Sequence, residues 1–144
     1  MTKHTKKQKH HKIGDHTGKP WKIHDSLVQR TREIRKKKSG FPKACSKISF
    51  IFWHDDTPKK CFYCGIPQEL LKPLNWQHSL QKRLTIDRKT PNKGYVVSNM
   101  CFACERCNLI KNDFLTMTEM KTIAKKHLKP KWKKMYEKYR KNRS

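Results

Sequence analysis

The sequence predicts a small α+β fold with basic helical extensions at both ends. Strand-like runs lie between two cysteine pairs, helix signals follow the second pair, and lysine and arginine concentrate towards the termini. With 144 residues, of which 34% are hydrophobic, the chain can build one domain around a small core, with polar tails.

The charge is strongly basic and unevenly distributed. The chain carries 36 Lys and Arg against 11 Asp and Glu, a formal charge of +25. Residues 1–44 hold 14 basic and 3 acidic side chains, residues 121–144 hold 11 and 1, and residues 45–120 hold 11 and 7. This excess suits a polyanion, so we expect a nucleic-acid partner: double-stranded DNA first, with RNA as the alternative. The oligomeric state is not indicated.

Composition divides the chain into four predicted segments. They are a disordered basic arm (1–24), a basic helical segment (25–44), a folded domain (45–120) and a basic C-terminal helix (121–144). In the second segment we predict a helix from Ser26 to Lys38, because Ser26 and Gln29 match a capping box.

The folded domain is expected to contain one hairpin followed by helices. Ile48–Trp53 is the densest apolar run and should anchor the core, as either helix or strand. Leu84–Asp87 and Tyr95–Val97 are strand-like and are joined by a turn with Pro91, Asn92 and Gly94, which predicts an antiparallel pair.

Three helices are predicted after the hairpin. One begins near Cys104, and the next begins at Thr116, whose spacing to Glu119 is that of a capping box. The third covers the lysine-rich end, where Trp132 and Tyr136 belong to a set of apolar residues at helical spacing.

Two Cys-x-x-Cys pairs predict a structural zinc site. Each pair can bring both sulfur atoms to one metal ion, and four thiolates close a tetrahedral Zn²⁺ site. The predicted ligands are Cys61, Cys64, Cys104 and Cys107. Cys45 and Cys101 are left over. Cys101 could replace Cys104, but the pairing with Cys107 and the position of Asn108 favour Cys104.

Five motifs in order resemble the ββα-metal core of HNH endonucleases. They are Cys-Phe-Tyr-Cys-Gly, Ile-Asp-Arg, Lys-Gly-Tyr, Ser-Asn-Met and Cys-Glu-Arg-Cys-Asn-Leu-Ile-Lys. The resemblance covers roughly residues 61–120. It implies a zinc-stapled, treble-clef-like nuclease domain and a phage or mobile-element origin, since Asp-Arg followed by Lys-Gly-Tyr recurs among phage-type members.

The resemblance also implies site residues. In that family an Asp at the position of Asp87 and an Asn at the position of Asn108 hold one divalent ion, Mg²⁺ or Mn²⁺. An Asn at the position of Asn99 orients the loop between the strands. The neighbouring lysines are expected to contact DNA phosphates: Lys89, Lys93 and Lys111.

Arg88 departs from the family pattern. HNH enzymes usually have a His after the metal-binding Asp, and that His is the general base. Arginine stays protonated, so Arg88 can clamp a phosphate but cannot accept the proton. Three explanations remain open: His78 or His54 substitutes as base, Arg88 orients a water activated by the metal, or the site has lost catalysis and only binds.

Two other classes of function compete with the nuclease. A non-catalytic zinc protein that binds DNA or RNA would also explain the charge and the cysteines, whereas a zinc module that recruits a protein partner fits the charge poorly. No apolar run approaches the length of a membrane span, and no apolar segment follows the N-terminal charges. An intracellular protein is therefore expected.

Overall fold

The computed structural model describes residues 18–77 and 82–143. As predicted, the fold is α+β, and these residues form five α-helices and one two-stranded sheet. The elements are α1 (Pro20–Lys37), α2 (Lys47–Asp56), β1 (Thr85–Arg88), β2 (Met100–Ala103), α3 (Glu105–Lys111), α4 (Met117–Ile123) and α5 (Lys129–Arg143). The described residues divide into two units, one of residues 18–57 and 92–99 and the other of residues 58–77, 82–91 and 100–143.

The first unit contains α1, α2 and the segment 92–99. Helix α1 begins at Pro20, not at Ser26, because proline suits the first helical position, where its missing N–H is not needed. The Ser26 hydroxyl donates to the Lys22 carbonyl inside the helix, so the predicted capping box is wrong. Residues 20–24, expected in the arm, are helical.

The apolar run Ile48–Trp53 is helical and lies within α2. Phe50 is fully buried and packs against the His24 ring, with ring centroids 5.7 Å apart. Ile48 and Phe52 are 69% and 66% exposed, so the run anchors the core through one face only.

The second unit contains the sheet, in which β1 pairs antiparallel with β2. The predicted second strand, Tyr95–Val97, is wrong: Tyr95 lies in the connection, where its carbonyl accepts a bond from the Cys45 amide, and Val97 starts a 3₁₀ turn. The true strand, Met100–Ala103, is buried at every position. It therefore lacks the alternation of apolar and polar residues by which a half-exposed strand is recognised.

The three predicted C-terminal helices are present as α3, α4 and α5. The capping box at the start of α4 is confirmed, since the Thr116 hydroxyl accepts from the Glu119 amide and the Glu119 carboxylate accepts from the Thr116 amide. A π-helical turn, Ala124–Leu128, joins α4 to α5. In α5, the Trp132 indole donates to the Cys64 carbonyl at 2.9 Å.

Some predictions concern residues outside the described ranges. Residues 1–17 of the expected arm and His78 are outside the described ranges. The boundaries of the four predicted segments stay predictions. Within residues 18–77 and 82–143, no helix combines the length and the apolar character needed to cross a bilayer.

Candidate active site

Four cysteines of the second unit lie close together: one pair precedes β1 in the chain, and the other pair lies at the start of α3. The sulfur atoms of Cys61, Cys64, Cys104 and Cys107 all lie within 4.8 Å of one another, and all four residues are buried and outside disulfides. Gly65 has φ +80°, a left-handed conformation that glycine adopts without strain, and its amide donates to the Cys61 carbonyl. The predicted grouping is confirmed.

Hydrogen bonds surround these sulfur atoms. The Cys64 amide points at the Cys61 sulfur and the Cys107 amide at the Cys104 sulfur, each at 3.4 Å, and the Trp76 indole donates to the Cys104 sulfur at 3.2 Å. The contacts among the four sulfur atoms lower the pKa of Cys61 and Cys104 and raise the pKa of Cys64 and Cys107. A buried four-thiol set with N–H donors around it fits Zn²⁺.

Asp87 lies on β1 and is buried, with 7% of its surface exposed. The Tyr63 hydroxyl donates to its Oδ2 atom at 2.6 Å, and the Lys111 ammonium lies 3.4 Å from the same oxygen. Burial raises the pKa of Asp87 above its ordinary value of 3.8, and the bond from Tyr63 and the charge of Lys111 oppose that rise. The carboxylate is therefore held firmly in a site that disfavours its charge.

Asn108 lies on α3, which packs along β1. Its Nδ2 donates to the Thr85 hydroxyl at 3.1 Å, and that hydroxyl donates to the Ala103 carbonyl at 2.8 Å. Thr85 and Asp87 are two residues apart on one strand, so their side chains share a face. Helix α3 therefore brings Asn108 to the face that carries Asp87. Carboxylate and amide oxygens are the ligand types that Mg²⁺ and Mn²⁺ favour, so this donor set fits such an ion.

Lys111 occupies a different setting from the one expected of a phosphate ligand. Its side chain is 1% exposed, and its ammonium donates to the Arg88 carbonyl at 2.9 Å besides its contact with Asp87. One ammonium thus ties α3 to β1. Its contact with a DNA phosphate stays a prediction.

The other basic residues of the predicted site differ in how they are held. The Arg88 guanidinium donates to the Pro91 carbonyl at 2.9 Å and lies 3.8 Å from the Asp113 carboxylate. The Lys89 ammonium lies 4.8 Å from the centre of the Phe62 ring. Lys93 is exposed in the 3₁₀ turn 91–93.

Asn99 and His54 belong to the first unit. Asn99 is buried and its Nδ2 donates to the Gly94 carbonyl at 2.8 Å, which closes the segment between them. Gly94 has φ +75°, and a Cβ there would meet Pro42 atoms at 3.2 Å. The His54 ring packs against Phe50, and its Nδ1 lies 3.5 Å from the Asp55 carboxylate.

Comparison with known proteins gives one solved structure of similar fold. No protein-family model matches the chain, and no curated protein does. The solved structure is that of PacI, a rare-cutting HNH restriction endonuclease studied for its mechanism of DNA perturbation. Sequence identity is 25%, the TM-score is 0.56, and the match covers 72% of this chain and 75% of that chain.

The chain is related to the HNH superfamily. Sequence reasoning missed two residues that contact predicted ligands: Tyr63 on Asp87 and Thr85 on Asn108. Thr85 was detectable, because it shares a strand face with Asp87. Tyr63 carried no comparable signal, since its partner is 24 residues away in the chain.

Proposed function

We propose that this chain is an HNH-type endonuclease that hydrolyses DNA phosphodiester bonds, by nicking or cutting. A single Mg²⁺ or Mn²⁺ ion is held by Asp87 and Asn108, and the zinc held by the four cysteines is structural. One observation carries the proposal. The buried carboxylate of Asp87 lies on the face of β1 that α3 covers, and α3 brings Asn108 to the same face. The relation to an HNH restriction endonuclease supports it.

A protein that only binds nucleic acid gains nothing for phosphate binding from this carboxylate. Two like charges about 4 Å apart repel each other by about 1 kcal/mol in water and more near a protein surface, so Asp87 would weaken phosphate binding. Burial adds a cost to keeping Asp87 ionised, as its raised pKa indicates. A chain with a +25 charge that retains such a group fits metal binding better.

Existing hydrogen bonds indicate which atom of each proposed ligand is available to the metal. Tyr63 and Lys111 both contact Oδ2 of Asp87, so the other oxygen, Oδ1, is the proposed metal ligand. The Asn108 amide nitrogen is used by Thr85, so its oxygen is the ligand atom. A divalent ion bound there would polarise the scissile phosphate and stabilise charge on the departing 3′ oxygen.

Arg88 is proposed to clamp the phosphate next to this ion. Its guanidinium is held by Pro91 and Asp113, and its permanent charge suits a phosphate oxygen but excludes a role as proton acceptor. His54 and His78 stay the two predicted substitutes for the missing base. Replacing each histidine by Gln in turn identifies which one is the base, because loss of the base should lower the cleavage rate without lowering DNA affinity.

The basic ends of the chain are proposed to hold DNA. Phosphate neutralisation by many lysines gives affinity without sequence preference. Lys89 and Lys93 follow β1 in the chain and are assigned to backbone phosphates nearer the cleavage position.

Plasmid cleavage tests the proposal. Supercoiled plasmid is incubated with purified protein in buffer without divalent ions, and then with added Mg²⁺ or Mn²⁺. Nicked or linear DNA should appear only with added metal, and should be absent for Asp87→Ala and Asn108→Ala purified in parallel. Leaving out the ion, instead of adding a strong chelator, preserves the zinc.

The outcomes separate the two main functions. Intact plasmid that is retarded on the gel by wild type and variants alike would overturn the nuclease proposal and favour a binding protein. Equal cleavage by wild type and Asp87→Ala would indicate a contaminating nuclease or a different active site.

A further inference from the structure

Tyr63 connects the cysteine site to the candidate catalytic carboxylate. It lies between Cys61 and Cys64, so two predicted zinc ligands flank it in the chain. Its side chain is buried, with 6% of the residue exposed, and its hydroxyl donates to Asp87 Oδ2 at 2.6 Å. This distance is typical of a hydroxyl bound to an ionised carboxylate, which is among the stronger hydrogen bonds in proteins.

The cysteine segment is itself fixed to the sheet. The Phe62 amide donates to the Phe102 carbonyl of β2 at 2.7 Å, and the Trp132 indole of α5 donates to the Cys64 carbonyl. The residues on both sides of Tyr63 therefore have fixed positions. Since a phenol ring has few rotatable bonds, its hydroxyl can place one oxygen of Asp87 with little freedom.

The surroundings keep the hydroxyl in its role as donor. The Tyr63 side chain is buried away from water, and the nearby Cys101 thiol, whose sulfur lies 3.8 Å from the hydroxyl, is buried as well. A protonated phenol can donate one hydrogen bond, and the Asp87 carboxylate is the acceptor that it meets.

We propose that Tyr63 is a positioning residue for the divalent-metal site. By holding Oδ2 of Asp87, Tyr63 orients the carboxylate for the metal. It thereby couples the position of the zinc-bound segment to the geometry of the proposed cleavage site. This inference rests on the proposed function and deepens it, since it names the residue that orients one of its metal ligands.

A binding measurement tests the proposal without relying on cleavage. The full-length zinc-loaded protein is titrated with Mn²⁺, and the bound ion is followed by its electron paramagnetic resonance signal. Tyr63→Phe should keep its zinc content and raise the Mn²⁺ dissociation constant at least about 10-fold, the lower range for losing a group that orients a metal ligand. The matched control is Tyr139→Phe, which removes the same hydroxyl from α5, where Arg143 donates a hydrogen bond to it at 3.0 Å.

The possible results are distinct. Mn²⁺ binding by Tyr63→Phe with the wild-type dissociation constant and intact zinc would overturn the positioning role while leaving the proposed function in place. A wild-type protein that binds no Mn²⁺ would overturn both. Loss of affinity in Tyr139→Phe as well would show a general effect of removing tyrosine hydroxyls, and would count against the proposal.

A second measurement applies if Tyr63→Phe fails to retain zinc. The wild-type protein is labelled with 3-fluorotyrosine at its 4 tyrosines and observed by fluorine NMR. One resonance should shift on addition of Mg²⁺, and Asp87→Asn should move the same resonance and abolish its response to Mg²⁺. Absence of any Mg²⁺-dependent shift in a protein that binds the ion would contradict the proposal.

Discussion

At the scale of single residues, Asp87 shows how a charged group is kept in a buried setting. The Tyr63 hydroxyl and the Lys111 ammonium share one of its oxygens, and the Lys111 ammonium also reaches the Arg88 carbonyl. These contacts offset part of the desolvation that raises the pKa of Asp87. Removing one partner of such a buried pair leaves the other charge without compensation.

Lys111→Met is expected to make stability more dependent on pH. Folding raises the pKa of Asp87, so the folded state favours the protonated carboxyl group. This stabilisation is fully present below the ordinary pKa of 3.8 and is lost as the pH rises through the pKa of the folded state. Loss of Lys111 raises that pKa further. The variant should therefore fall below wild type by about 3 kcal/mol near neutral pH and by much less near pH 4.

Urea unfolding without added Mg²⁺, at several pH values and relative to wild type at each, measures this effect. The control is Lys111→Met in an Asp87→Asn background, where the cost should not change with pH. If Lys111→Met lowers the free energy of unfolding by the same amount at every pH in both backgrounds, Lys111 acts through packing and not through its charge.

At the scale of elements, the site depends on three short pieces that are held by one another. Strand β1 carries Asp87, α3 is tied to β1 by the side chains of Asn108 and Lys111, and the segment of Cys61–Cys64 is bonded to β2. Each piece is too short to be stable alone. The four-cysteine site joins the first segment to the start of α3, so metal binding there should contribute directly to folding.

Serine substitutions test which cysteines bind zinc. Cys107→Ser should lose zinc and become insoluble or unfolded, because three thiolates leave the tetrahedral site open. Cys45→Ser and Cys101→Ser should each keep the zinc, because both residues lie outside the four-cysteine cluster. Zinc content and circular dichroism of the soluble fractions measure this.

Cys101 provides the closer control, since it is buried like the four ligands and burial raises its pKa to about 12. A soluble Cys107→Ser protein that unfolds cooperatively and contains zinc would contradict the ligand assignment. Zinc loss in Cys101→Ser would do so as well.

At the scale of the whole molecule, charge governs the expected encounter with DNA. Basic residues concentrate towards both ends of the sequence, whereas residues 45–120 are closer to neutral. Each lysine that neutralises a phosphate releases condensed counterions, so affinity should fall steeply as salt rises. The proposed function therefore predicts that cleavage and affinity are separable, because Asp87 is proposed to act in the first and the terminal lysines in the second.

Replacing the 5 lysines of residues 1–17 by Gln should reduce the salt dependence of DNA binding. The slope of log K against log salt should become shallower by up to about 4.5, if each lysine contacts one phosphate. Fluorescence anisotropy with a labelled duplex at several salt concentrations measures the slope. In the control, the same lysines become arginines and the slope should be kept. An unchanged slope in the Gln variant would show that these residues do not contact DNA.

The sequence alone determined the parts that depend on short-range spacing. The cysteine pairs and the capping box at Thr116 were predicted correctly, because the two-residue gaps and the helical turn fix those atoms locally. The HNH relation followed from the order of such motifs. Only the tertiary structure decided the strand at Met100–Ala103, because a strand buried on both faces shows no alternating pattern. It also decided that Tyr63 and Lys111 meet at Asp87, because those contacts join residues 24 positions apart in the chain, which the sheet and α3 bring together.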